Sequence, residues 1–249
     1  MYRLEDNFKS FDEYVMKFDL NEPAIKRKYD HSYRVMNNCG EISTFLNLSK
    51  EGSYLATLIG LLHDIGRFEQ WTKYKTFSDY NSINHAVLGA KILFDDNLIS
   101  AFKADKKDYE LIKKSIINHN AYELNKGIDN RELLFSNIIR DADKIDIIHQ
   151  ISEDKVLRLD EDDSEITGKV KEEFYNHECI NKKYKRTRND NVILKIALVY
   201  GLNFDYSREL VLQKNYLDKM LDSLSNKEKF KEYTEEAKKC LKRSVNNVR

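Results

Sequence analysis

Apolar positions recur at three- and four-residue steps along most of this chain. Between Ala24 and Leu48, the residues Val35, Met36, Cys39, Ile42 and Leu46 keep that period, which predicts a long amphipathic helix. Pro23 suits its first turn, where a missing N–H costs nothing. From about Gly52 to Asp64 the residues are apolar nearly all round, as in a helix buried on every side, and Gly66 suits its C-terminal end. The helical period returns over 84–95, 107–119, 131–150, 190–203 and 206–224, and a charged amphipathic helix follows to the C-terminus. No segment alternates at period two, and a single proline leaves long helices as the default. The expected fold is all-α. This reading places one α-helical domain over 1–249, with a core at about 24–150 and a C-terminal helical extension at about 170–249. The acid-rich stretch 152–169 between them reads as a flexible surface connection.

Polar residues interrupt this pattern at informative places. The stretch LIGLLHDIGRFEQW, residues 58–71, sets His63 and Asp64 side by side where the core begins. Two titratable neighbours there cost free energy unless they are hydrogen-bonded, paired or bound to metal. His31 shares the stripe of Val35, Ile42 and Leu46, and His85 shares a face with Leu88, Gly89 and Ile92. His119 follows Ile112 and Ile116, and Asp143 lies between Ile139 and Ile147. Any one of these histidines alone reads as a hydrogen-bonded core residue. Together, four histidines and two aspartates fall on the inward faces of five helices, where such residues are rarely buried without partners. Convergence on metal accounts for all of them at once. Imidazole and carboxylate suit divalent Fe, Mn, Zn or, less well, Mg, as one ion or two, and no cysteine is placed to select a softer metal. A bound ion would bring the pKa of its water toward neutrality, and two ions together could hold the attacking and leaving oxygens of a phosphoryl transfer. His149 and His177 are left without a role.

Charge narrows the partners. Lys+Arg and Asp+Glu each total 42, so no global field draws the chain to nucleic acid or membrane. No apolar run approaches the roughly 20 residues that span a bilayer, and the N-terminus lacks the pattern of a signal peptide. Cys39, Cys179 and Cys240 form no CxxC pair and read as free thiols, which places the protein in the reducing cytoplasm. The basic run KKYKRTR, 182–188, reads as a solvated loop, a phosphate-gripping loop or an RNA contact. Trp71, Tyr74, Phe77 and Tyr80 read as core filling or as a lid that stacks a base. The charged C-terminal helix reads as a surface element or the contact of a homodimer.

In that order, His31, His63–Asp64 and Asp143 resemble the H…HD…D signature of the HD superfamily of metal-dependent phosphohydrolases. HDIGR at 63–67 and IIRDADKID at 138–146 carry the resemblance further. It covers roughly residues 24–150 and implies an all-α helical bundle. It also implies His31, His63, Asp64 and Asp143 as ligands of a first ion, with Asp141 the alternative to Asp143. Asp143 stands in the family's usual Ala-Asp-(Lys/Arg) setting, here Ala142-Asp143-Lys144. Branches with additional histidines hold two ions bridged by the HD aspartate, and His85 and His119 stand at those insertion points. Arg67 takes the place of a lysine found in several dinuclear phosphodiesterases, and Lys144 follows the last aspartate; both are expected to bind phosphate.

Departures from the pattern also matter. The superfamily's mononuclear nucleotidases and guanosine-tetraphosphate hydrolases carry an acid where this chain has Arg67. The HD-GYP branch carries HHExxDGxGYP where this chain has NHNAYELNKG, 118–127. The implied activity is hydrolysis of a phosphomonoester or phosphodiester bond in a nucleotide or related small metabolite by metal-activated hydroxide. The alternative is a catalytically silent HD-type module that binds a nucleotide or a partner and acts as a sensor or interaction module.

Overall fold

The computed structural model describes residues 4–124, 127–153 and 161–246, and among these there are helices and no strand. The all-α expectation is met. Contacts divide the chain into two compact units, Met1–Asp143 and Lys144–Arg249. The division between Asp143 and Lys144 falls within the helix Asn130–Glu153.

In the first unit, α1 (Leu4–Val15) precedes α2 (Pro23–Phe45), α3 (Lys50–Leu62) and α4 (Gly66–Tyr74). Pro23 opens α2 as expected, and Ser49 caps α3 by accepting from Gly52 N at 3.1 Å. Gly60 lets α3 approach α2 closely. A Cβ there would lie 2.9 Å from both Cys39 Sγ and Met36 Cα. That approach brings the C-terminal end of α3 beside the His31 turn of α2.

Gly66 does not end α3. The chain passes from α3 through His63, Asp64 and Ile65, all in or near helical geometry, and Gly66 is the first residue of α4. Its role is steric, at the crossing with α5 (His85–Ala90). A methyl at Gly66 would collide with the carbonyl oxygen of His85 and lie 2.7 Å from Gly89 N. The period-based reading missed both α1 and α4, which are short and aromatic. Phe68 of α4 is fully buried, with Phe11 at 6.0 Å, Phe18 at 5.7 Å and Tyr14 at 6.3 Å between ring centres. Burying such a ring contributes roughly 1.5–3 kcal/mol. A π-helical turn, Lys91–Asp95, continues α5, and α6 (Tyr109–Asn118) and the first half of α7 (Asn130–Glu153) complete the unit.

The second unit contains the rest of α7 with α8 (Gly168–Tyr175), α9 (Arg188–Ile196), α10 (Asp205–Gln213), α11 (Tyr216–Asp222) and α12 (Lys227–Asn246). The expected helix over 206–224 is two helices, parted at Asn215, whose φ of 53° is left-handed. Phe174, Val192, Ile193 and Phe230 are fully buried in its core. Buried Asp190 organises the entry to α9: it accepts from Thr167 N at 2.8 Å, Arg186 N at 2.8 Å and Thr187 N at 3.0 Å. Part of the acid-rich stretch lies outside the described residues. The rest is tied down: Glu161 accepts from Ser225 N and Asn226 N before α12, and Asn189 donates to Asp162 O at 2.8 Å. In the basic run, the Arg186 guanidinium folds back onto the carbonyls of Lys183 and Lys185, and Lys183 lies over the Tyr184 ring. No described helix is long and apolar enough to cross a membrane.

Candidate metal centre

The six expected residues of the first unit converge. His31 comes from the middle of α2, His63 and Asp64 from the turn after α3, His85 from the first turn of α5, His119 from the end of α6 and Asp143 from α7. Asp64 lies at the centre, 2% exposed. Its Oδ2 is 3.3 Å from His31 Nε2 and 3.6 Å from His63 Nε2. Its Oδ1 is 3.2 Å from His85 Nε2 and 3.7 Å from His119 Nε2. One carboxylate therefore faces two histidine pairs, one oxygen to each. Within each group, His31–His63–Asp64 and Asp64–His85–His119, the atoms available as ligands lie within 4.8 Å of one another. Asp143 Oδ1 adds a further oxygen at 3.2 Å from His31 Nε2 and 3.8 Å from His63 Nε2. Asp141 is fully buried on the same helix.

Backbone carbonyls fix the imidazoles. His63 Nδ1 donates to Gly60 O at 2.8 Å, and His119 Nδ1 donates to Ile116 O at 2.6 Å. His85 Nδ1 donates to Asp79, 2.8 Å from Oδ2. Each ring held this way points its Nε2 atom inward. Burial pushes the His63 pKa down to about 3, so that ring is neutral at pH 7. Burial also lowers the His85 pKa, outweighing Asp64 and Asp79. The Nε2 atoms meet in pairs: His63 faces His31 at 3.2 Å, and His85 faces His119 at 3.0 Å. Asp64 Oδ1 is buried without a hydrogen-bond donor. Four imidazoles and the Asp64 carboxylate gathered in a buried site form a donor set that fits divalent metal.

Residues beyond the ligand candidates support the cluster. Lys28, one turn before His31 on α2, donates to Asp64 Oδ2 at 2.7 Å. Arg67 Nε is 3.5 Å from Asp64 Oδ1. Burial raises the Asp64 pKa, but Lys28 and the surrounding imidazoles outweigh it and hold the carboxyl well below the usual range. Arg67 Nη1 donates to Gln70 Oε1 at 2.7 Å, Phe77 O at 2.7 Å and Asp79 Oδ1 at 3.1 Å. Asp79 also accepts from Gln70 at 2.9 Å and from Asn120 at 3.1 Å. Its own burial is outweighed by His85 and Arg67, which hold its pKa low. Asn120 donates to Asn84 Oδ1 at 3.1 Å as well, and Asn84 caps α5 through Ala86 N at 3.0 Å. The His119 segment and the His85 turn are thereby joined.

Sequence reasoning missed Lys28, Asp79 and Asn120. Only a carboxylate preceding His85 at close range could have signalled one of them, since an oriented metal-binding histidine gives its second N–H to such a group. Asp79→Asn should weaken metal binding roughly 10- to 100-fold, a loss read by metal titration. The variant should keep its helical circular dichroism, because Asp79 is partly exposed and lies outside the long helices.

Lys144, next in sequence to Asp143, is buried and belongs to the second unit, as do His149 and His177. His177 pairs with Glu236 at 3.0 Å. The aromatic positions from Trp71 to Tyr80 are not core filling throughout: Tyr80 is 97% exposed and Tyr74 47%.

No curated protein and no solved structure matches the chain. A family comparison does find a match, and it covers the whole cluster. Residues 29–148 match the model of the HD domain, a span that includes all six converging side chains.

Proposed function

We propose that this protein is a metal-dependent phosphohydrolase with a dinuclear centre. HD domains are typical of metal-dependent hydrolases, and the His/Asp cluster fits a divalent ion. One ion would sit on His31, His63, Asp64 and Asp143, the other on His85, His119 and Asp64. A single observation carries this reading: each oxygen of Asp64 meets its own pair of imidazole nitrogens. The substrate is a small phosphorylated metabolite of the nucleotide class, cleaved at a phosphomonoester or phosphodiester bond.

Divalent ions bound there would supply Lewis-acid polarisation of a phosphate and a water of lowered pKa. The protein's own groups do the rest. Carbonyls and Asp79 lock the His63, His119 and His85 rings, so these ligand atoms need little reorganisation on binding. Lys28 and Arg67 partly neutralise Asp64 and add positive charge where phosphate oxygens gain negative charge, in a partly dry site where such charge counts most. Arg67 Nη2, which makes no hydrogen bond among the described residues, is free to take a phosphate oxygen.

The test combines elemental analysis of untagged protein with a phosphate-release screen over nucleotides and other phosphate esters. Two ions per chain and release from at least one ester are expected. At metal about a hundredfold above Kd, each site adds about 2.7 kcal/mol of stability, so chelation should lower Tm by several degrees. One ion per chain under replete conditions would overturn the dinuclear assignment. Two ions with no turnover on any ester would favour the silent sensor.

A further inference from the structure

Phe77, three residues beyond α4, gathers three positive side chains. The guanidinium carbon of Arg27 and the Nζ of Lys28 each lie 5.5 Å from its ring centre, and the guanidinium carbon of Arg67 lies 5.6 Å away. Trp71 packs on the same ring with centres 4.8 Å apart. Two of the three cations are answered by carboxylates: Lys28 by Asp64, and Arg67 by Asp64 and Asp79. Arg27 has no carboxylate within ion-pair distance among the described residues. On its own helix the nearest acid, Asp30, is taken by Lys26. Burial lowers the Arg27 pKa, with no counter-charge to offset it.

A cation–π contact is worth roughly 0.5–2 kcal/mol, which does not by itself explain a half-buried guanidinium placed next to two other cations. A bound anion does. The planar guanidinium fork matches two phosphate oxygens, and the Phe77 ring packs beside it at 5.5 Å.

We propose that Arg27, seated on Phe77 beside Lys28, binds a second anionic group of the substrate. The substrate class is therefore a phosphate ester that carries a further phosphate, such as a nucleoside polyphosphate or a dinucleotide, and not a simple monoester. This inference rests on the phosphohydrolase reading for the position of the first phosphate. Lys28 links the two places: its Nζ is 2.7 Å from Asp64 Oδ2 on one side and 5.5 Å from the Phe77 ring centre on the other.

The experiment uses two inorganic probes, orthophosphate and pyrophosphate, titrated calorimetrically into the metal-stripped full chain. Stripping removes the metal contribution to anion binding. Metal content is measured separately on the unstripped protein. Pyrophosphate is expected to bind at least about tenfold more tightly than orthophosphate, as a second charge-assisted contact would give. Arg27→Gln should abolish that preference while metal content stays at the wild-type value. Arg27→Met keeps the apolar stem on Phe77 and removes only the charge, and it should behave alike if the glutamine variant folds poorly. Equal affinity for the two anions in wild type, or an unchanged preference in both variants, overturns the proposal. Preference without bound metal would leave the anion site standing and remove the metal centre. Two bound metals without preference would do the reverse.

Discussion

Asp64→Ala should leave the protein without bound metal and reduce phosphate release at least about 10³-fold, the upper range for loss of one group that stabilises a transition state. The expected loss is this large because Asp64 serves both halves of the cluster. Its Oδ2 faces His31 and His63, and its Oδ1 faces His85 and His119, so one truncation removes an oxygen from each group. Two further residues depend on it. Lys28, bonded at 2.7 Å, and Arg67, at 3.5 Å, would face four imidazoles with no carboxylate at the centre. Leaving one side of a buried charge pair unmatched typically costs about 3–5 kcal/mol. Asp64→Asn separates these effects, since it keeps the volume and one acceptor oxygen while removing the charge. Elemental analysis, phosphate release and thermal melting of the three proteins check the expectation. Full metal content with full turnover in Asp64→Ala would refute the central assignment.

The second large effect is expected at a residue that touches no candidate ligand through a side chain. Gly66→Ala should destabilise the fold by about 3 kcal/mol or more, at the upper end of overpacking costs. The added methyl would meet the backbone of α5 at the His85 carbonyl and at Gly89 N, 2.7 Å away, and backbone in a helix cannot swing aside as a flexible side chain can. Relief requires α5 to move off α4, and His85 moves with it, away from Asp64 and His119. The half of the cluster built on His85 and His119 should therefore lose metal first, and stoichiometry should fall toward one ion per chain. Gly89→Ala is the control from the other side of the crossing. Its Cβ would stand 3.3 Å from Gly66 N and from Ile65 Cγ2, a tighter than usual contact but one that a small shift relieves. A cost of about 1 kcal/mol is expected there. Denaturant titration of the two variants reads the difference, and equal midpoints would show that the α4–α5 crossing is not tightly packed at Gly66.

Much of this centre is legible in the linear pattern because its ligands ride on helices. A helix presents one face every three to four residues, so a histidine in phase with isoleucine and leucine must point inward. That argument picked out His31, His85 and His119. The apolar run of α3 located His63 and Asp64, and the family signature supplied the order. Short elements were less legible. α4 has nine residues and α1 twelve, and polar residues or glycine share their buried faces with aromatic ones, Asn7 in α1 and Gly66 and Gln70 in α4, so neither stood out as an apolar run. Gly66 read as a helix end because glycine usually serves there. The structure uses it for close backbone approach, a property of the partner helix that no local window contains.

By itself the sequence determined the helical class, the inward phase of six ligand candidates and the absence of any strand-like alternation. All of these follow from local geometry repeated along one chain. Tertiary structure decided the rest: that Asp64 faces a different histidine pair with each oxygen, that Asp79 and Asn120 tie His85 to the His119 segment, and that Phe77 collects Arg27, Lys28 and Arg67. Those residues come from separate helices and turns. Helical periodicity fixes the direction of a side chain relative to its own axis only. Which atoms meet depends on how the axes cross, and here the crossings are set by steric gaps at Gly60 and Gly66 that hydrophobic patterning does not encode.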